Sequence, residues 1–269
     1  MFKKLFALIL AAGLAALLGC DSASPLLPES ELMVVRAYLY AGEPVTDVQL
    51  TTTFALTAGD TAGQPINEAK VGLEKAGKIY RLTASPGDSG YYHYAGNDLA
   101  VQVGDRFKIS VERNGQTATG ETIIPAPPQN PALSKTELVI DTSTPFDTSS
   151  ISISWQGEDT FYFVVVENLE ASPTPINQFP FPGGPRGQFR SFRSRPFRDL
   201  SYTVRRFDLA YFGNHRARIY KVNQEYANLY AFGLQDSRNL NEPETNIKNG
   251  LGVFAGFSSA AVNFRVVRQ

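Results

Sequence analysis

From Met33 to Ile124 the chain is a succession of short runs in which apolar side chains recur at every second position, each run closed by a glycine, proline or asparagine turn. A period of two gives a strand one apolar face, and runs so short and so often interrupted cannot be helices. Met33, Val35, Ala37 and Leu39 share one face of the first run. After Gly42-Glu43-Pro44, the residues Val48, Leu50, Thr52 and Phe54 repeat the pattern. Further runs lie at 70–74, 78–83, 91–94, 99–103, 107–111 and 117–124. Pro86-Gly87-Asp88-Ser89-Gly90, Gly96-Asn97-Asp98, Gly104-Asp105 and the hairpin pair Asn114-Gly115 separate them. Residues 32–124 therefore read as an immunoglobulin-like β-sandwich.

Pro125, Pro127, Pro128 and Pro131 cannot continue a central strand, so 125–131 reads as a stiff linker between two domains. A second β-rich domain, 132–269, follows. Leu138 to Ile140, then Ile151, Ile153 and Trp155, then Phe161 to Val166 form its first strands, with Trp155 a core residue in the manner of a fibronectin type III sandwich. Residues 176–200 are too long and too rich in Pro and Gly for an ordinary connection. Strand signals resume at 201–207 and 217–222. Asn223 can cap the chain's one helix, expected over 223–234, since Tyr226, Leu229, Tyr230 and Gly233 fall on one face. An Asn- and Gly-rich segment, 239–257, leads to a closing strand in which Val262, Phe264 and Val266 alternate.

The start of the chain says where this cargo is held. Lys3 and Lys4 precede an apolar run from Leu5 to Leu18, too short to be a comfortable permanent span, and Leu17-Leu18-Gly19-Cys20 has the form of a lipoprotein processing site. Residues 1–19 read as a signal peptide, Cys20 as the acylated first residue, and 20–31 as a polar tether. Two or three acyl chains anchor a protein stably where one does not. Cys20 is the only cysteine, so no disulfide is available and stability must come from packing.

Enzymatic chemistry finds no foothold. The two histidines, His93 and His215, have no neighbours at metal-ligand spacing, and no nucleophile motif is present. Glu158, Asp159, Glu167 and Glu170 could supply a carboxylate pair, but solvated charge is the ordinary reading. The Gly-Asp turns lack the spacing of a calcium loop. A formal net charge of −1 argues against a nucleic-acid partner. The expectation is a non-enzyme with neither metal nor cofactor beyond the lipid on Cys20.

One stretch does suggest recognition: Arg186, Phe189, Arg190, Phe192, Arg193, Arg195, Phe197 and Arg198, where guanidinium forks alternate with aromatic faces. Such a stretch can hold an anionic ligand or dock on an acidic partner. It can equally fold over its own domain, its arginines stacked on aromatics and paired with surface carboxylates.

With these residues in view, the chain resembles the two-domain lipoproteins of unknown function of Bacteroidota, often encoded beside TonB-dependent outer-membrane receptors. The resemblance rests on Cys20, Val34-Val35-Arg36-Ala37-Tyr38-Leu39, the segment from Pro86-Gly87 to Tyr92, and Gly104-Asp105-Arg106-Phe107. It rests further on Ile151-Ser152-Ile153-Ser154-Trp155 and, most specifically, on Asn246-Ile247-Lys248-Asn249-Gly250-Leu251-Gly252-Val253-Phe254. It implies an outer-membrane lipoprotein assisting a receptor in nutrient uptake, and supplies no catalytic residues. Surface-exposed members carry several acidic residues after the acylated cysteine. Only Asp21 does so here, which leaves the membrane face open. The rival expectation is a structural or adhesion lipoprotein that binds no small ligand.

Overall fold

The period-two pattern folds as sheet. A computed structural model describes residues 32–53, 63–144, 147–176, 189–231 and 245–269. Cys20, with the residues read as signal peptide (1–19) and tether (20–31), lies outside the described residues. From Leu32 onward the chain forms one compact unit, mainly β, built as two sandwiches.

The first sandwich takes β1 (Met33–Tyr40), β2 (Asp47–Thr52), β3 (Lys70–Lys75), β4 (Lys78–Ala84), β5 (Tyr91–His93), β6 (Arg106–Arg113) and β7 (Gln116–Ile123). They pair in the order β1-β2-β5-β4-β3-β6-β7, and their inward positions, among them Val35, Leu50, Leu73, Phe107 and Ile109, are fully buried together. The expected strand at 99–103 is absent. Val101 is buried, but the segment is irregular and its carbonyl serves the turn at Gly42, so alternation there reports burial without pairing.

The second sandwich holds β8 (Gln129–Leu133), β9 (Glu137–Ile140), β10 (Ser150–Gln156), β11 (Phe161–Asn168), β12 (Ser191–Arg193), β13 (Ser201–Arg205) and β14 (Gly213–Val222). The sheet β13-β10-β8 faces the larger sheet. Trp155 lies in the core between them, 5.5 Å from the Tyr162 ring, as its sequence context implies. The linker is shorter than expected, because β8 begins at Gln129. Pro131 is tolerated there since β8 pairs, among the described residues, with β10 alone. The helix α1 spans Gln224–Ala231, with Asn223 capping it through Oδ1 to the Tyr226 N–H at 3.2 Å. The rest of the expected helix lies outside the described residues.

The two-domain division needs one correction, made by the end of the chain. After β15 (Ile247–Lys248), β16 runs unbroken from Leu251 to Arg268. Its first half pairs in parallel with β1 and its second half antiparallel with β14. Residues 247–257 thus complete the first sandwich although they follow the second. From sequence, Gly250 and Gly252 in the segment 239–257 read as loop positions where the backbone bends or approaches something closely. At Gly252 and Gly256, however, a Cβ would lie 2.1 Å from the Val35 carbonyl oxygen and 2.7 Å from that of Ile123. Glycine is there to let backbones meet within a strand.

Candidate functional site

Alternation also decides what the sandwiches turn outward. On β1 the outward residues are Arg36, Tyr38 and Tyr40. On β11 they are Phe161 and Phe163, on β14 Tyr220 and Val222, and on β16 Val253, Ala255 and Phe257. Because β16 belongs to both sandwiches, these side chains form a third apolar cluster, and α1 covers it with the fully buried Tyr226. The rings interlock. Tyr38 meets Tyr226 and Phe257 edge-on at 5.4 Å each, Tyr226 meets Phe257 at 4.9 Å, and Phe163 stacks on Tyr220 at 4.7 Å.

The Arg/Phe stretch reaches this cluster. Ser191–Arg193 adds an edge strand to β11, with Val166 opposite Phe192 and Val165 opposite Arg193. Phe192 therefore turns to the second core while Arg193 turns outward, its guanidinium carbon 3.9 Å above the Phe163 ring and 5.3 Å from that of Tyr226. Phe197 also packs on its own domain, stacked with Tyr202 at 5.5 Å. Arg198 lies over Phe161 at 4.4 Å and bonds Asp159 at 3.3 Å. Arg190 donates to the Ala171 carbonyl at 2.8 Å. Phe189 and Arg195 are exposed, and Arg186 lies outside the described residues.

Arg36 and Tyr38 are the functional candidates that sequence reasoning passed over. Arg36 sits beside Tyr38 and Tyr91, its guanidinium carbon 5.8 and 5.7 Å from their ring centres, and it donates to the Tyr91 hydroxyl. Their signal was present in the outward positions of β1, where a basic residue alternates with two tyrosines. Burial pushes the Tyr38 phenol up to about 12, with Tyr230 and Asp47 adding to the effect and Arg36 and Arg193 opposing it. Burial and Asp47 also raise Tyr40. Both phenols therefore stay protonated at neutral pH and can donate.

The other candidates resolve as structural chemistry. His215 is buried, stacks on Phe264, and has Gly213 O 3.0 Å from Nδ1 and the Asn168 amide 3.3 Å from Nε2. Ser85 Oγ lies 3.0 Å from His93 Nδ1. Glu158 bonds Lys221 at 3.0 Å, and Glu170 accepts from the Asn214 backbone at 2.8 Å. Among the described residues no three His, Cys, Asp or Glu side chains gather as a metal site. No described helix is long and apolar enough to cross a membrane.

Across residues 21–261 the sequence matches the family described as domain of unknown function (DUF4249). The chain belongs to that family. No curated protein matches this DUF4249 chain. Among solved structures, titin domains A168–A170 are similar at 12% identity over 70% of this chain, with a TM-score of 0.22. The match takes in 56% of the titin segment.

Proposed function

We propose that this DUF4249 chain is a non-enzymatic binding lipoprotein, acylated at Cys20 and held at the outer membrane, that assists a TonB-dependent receptor in nutrient uptake. The Arg/Phe stretch and the aromatic face beside it form its contact surface. The observation that carries this reading is Arg193. It is exposed and fixed over Phe163, and it has no carboxylate partner among the described residues, whereas Arg198 close by has one. An arginine held without its own counter-charge is suited to receive one from a partner. An acylated Cys20 would hold the chain at the same membrane as such a receptor.

A structural spacer is the second reading. Its support is that Phe192 and Phe197 pack on their own domain rather than outward.

The test is purification of the tagged, lipidated chain from its own cells in mild detergent, with mass spectrometry of what accompanies it. A receptor in stoichiometric amount, lost in Cys20→Ala together with membrane attachment, is expected. Recovery of the lipoprotein alone sinks the receptor reading, and a Cys20→Ala chain that stays on the membrane sinks the anchor.

A further inference from the structure

On the solvent side of the three-stranded sheet, where β10 begins and β13 ends, the second sandwich holds a cavity of about 240 Å³. Its floor follows from register. Ile151, Ile153 and Val204 point into the second core, so Ser150, Thr203 and Arg205 point outward, with Ser150 opposite Arg205 and Ser152 opposite Thr203. Facing positions of an antiparallel ladder hold their Cβ atoms about 5 Å apart, which brings hydroxyls and a guanidinium together. Thr148 and Ser149 line the cavity from the loop before β10. Phe207 lines it from a single 3-10 turn, Arg206–Asp208, that follows β13, and its ring is 57% exposed.

Some of these groups are already engaged. Asp147 Oδ1 accepts the Ser149 N–H at 2.7 Å, and its Oδ2 accepts the Ser149 hydroxyl at 2.9 Å and the Asp141 N–H at 3.1 Å. Arg206 is nearly buried, and Asp208 accepts the Arg205 N–H at 2.9 Å. Thr203 Oγ1 lies 3.2 Å from the Ser152 hydroxyl, which orients it. Others are open. The Arg205 guanidinium and the Thr148 and Ser150 hydroxyls make no hydrogen bond or ion pair among the described residues. Two arginines and two aspartates stand around the cavity, so no net charge there selects an ion of either sign.

We infer that this cavity binds one ring of a neutral sugar. Serine and threonine hydroxyls both donate and accept, as the hydroxyls of a sugar do, and the Arg205 fork can donate to two adjacent ligand oxygens. The C–H edge of a pyranose is apolar and slightly positive, which suits the negative face of Phe207. A cavity below the about 300 Å³ at which drug-sized sites begin has room for a single ring. A flat aromatic ligand would use Phe207 but leave the hydroxyls unpaired. The inference goes beyond the proposed function, since this site lies outside the Arg/Phe stretch 186–198 and needs neither the anchor nor a receptor.

Saturation-transfer NMR of the detergent-purified full chain with the methyl glycosides of glucose, galactose, mannose and xylose tests it. Saturable binding of at least one, with a dissociation constant of about 1–10 mM, is expected for so small a probe. Phe207→Ala and Arg205→Gln should each weaken it at least fivefold. Phe207→Tyr keeps the ring and should bind within about twofold of wild type, and Arg81→Gln, at an exposed position of β4, should change nothing. Phe207 and Arg205 are both exposed, so their variants should unfold at the wild-type urea concentration. Absence of saturable binding by all four glycosides overturns the inference, as does wild-type binding in Phe207→Ala and Arg205→Gln. Cyclohexanol has the ring without the array of hydroxyls, and its binding as tightly as the best glycoside would overturn the sugar assignment. Displacement of the glycoside by equimolar benzoate or phosphate would mark an anion site instead, and overturn it too. The titration involves no receptor, so its failure and the failure of co-purification are separate results.

Discussion

The side-chain amide of Asn246 grips both backbone polar groups of Phe254. Its Oδ1 accepts the Phe254 N–H at 2.8 Å, and its Nδ2 donates to the Phe254 carbonyl at 2.7 Å and to the Glu121 carbonyl at 3.2 Å. One side chain therefore substitutes for a ladder pair and ties β16 to β7 at the place where the two sheets of the first sandwich meet. Asn246→Ala leaves these groups without partners and should cost about 2–4 kcal/mol in urea unfolding. A loss below about 1 kcal/mol would show that water replaces the amide and that the clasp contributes little.

Gly252 has φ +110°, and a Cβ there would lie 2.1 Å from the Val35 carbonyl oxygen. Gly252→Ala therefore forces the parallel β1–β16 pairing apart and should destabilise by about 3 kcal/mol or more. Gly104, with φ +85° but open space around it, isolates the conformational part of such an effect. Gly104→Ala should cost only about 1–2 kcal/mol. Equal losses at the two sites would mean that the contact with Val35 is not what demands glycine.

Trp155 is the only tryptophan and lies in the second core, so its fluorescence reports that core, whereas far-UV circular dichroism reports all the sheet. Because β16 is a strand of both sandwiches and the Tyr38–Phe257–Phe163 cluster joins their outer faces, the two signals should unfold together in urea. A fluorescence midpoint clearly displaced from the dichroism midpoint would show that the sandwiches unfold as separate units.

Burial lowers the His215 pKa from its ordinary 6.5, against smaller raising contributions from the Gly213 carbonyl and Glu170. The unfolded chain then takes up this proton at higher pH than the native one. His215 thus favours the native state fully above about 6.5, and stability falls as pH drops from there towards the folded value, by at most about 1.4 kcal/mol per pH unit. Unfolding free energies at pH 7.5 and pH 5.5 should differ more for the wild type than for His215→Gln. Parallel profiles would remove His215 from the acid response.

Much of the architecture was legible because burial leaves a local trace. Alternation at Met33, Val35, Ala37 and Leu39 marked β1, the cap at Asn223 marked the start of α1, and alternating isoleucines placed Trp155 in a core. What local pattern cannot carry is partnership. Leu99 to Val103 alternates as a strand would, yet it pairs with nothing. Gly250 and Gly252 marked a bend or close approach and read as a loop, whereas Gly252 and Gly256 lie inside β16, the longest strand among the described residues. The Arg/Phe stretch was visible as a composition, but its division into inward Phe192 and outward Arg193 follows from pairing with β11, which the run itself does not encode.

Sequence alone determined that the chain is mainly β, that its single cysteine follows an apolar run, that no disulfide can form within this sequence, and that an arginine- and phenylalanine-rich stretch interrupts the second half. Tertiary structure alone decided that residues 247–257 complete a sandwich begun more than two hundred positions earlier. It also decided that Arg36 and Arg193 flank one aromatic face. The physical reason is that strand periodicity is set by each residue's own burial, whereas register, parallel pairing and convergence depend on backbone hydrogen bonds between segments far apart in sequence.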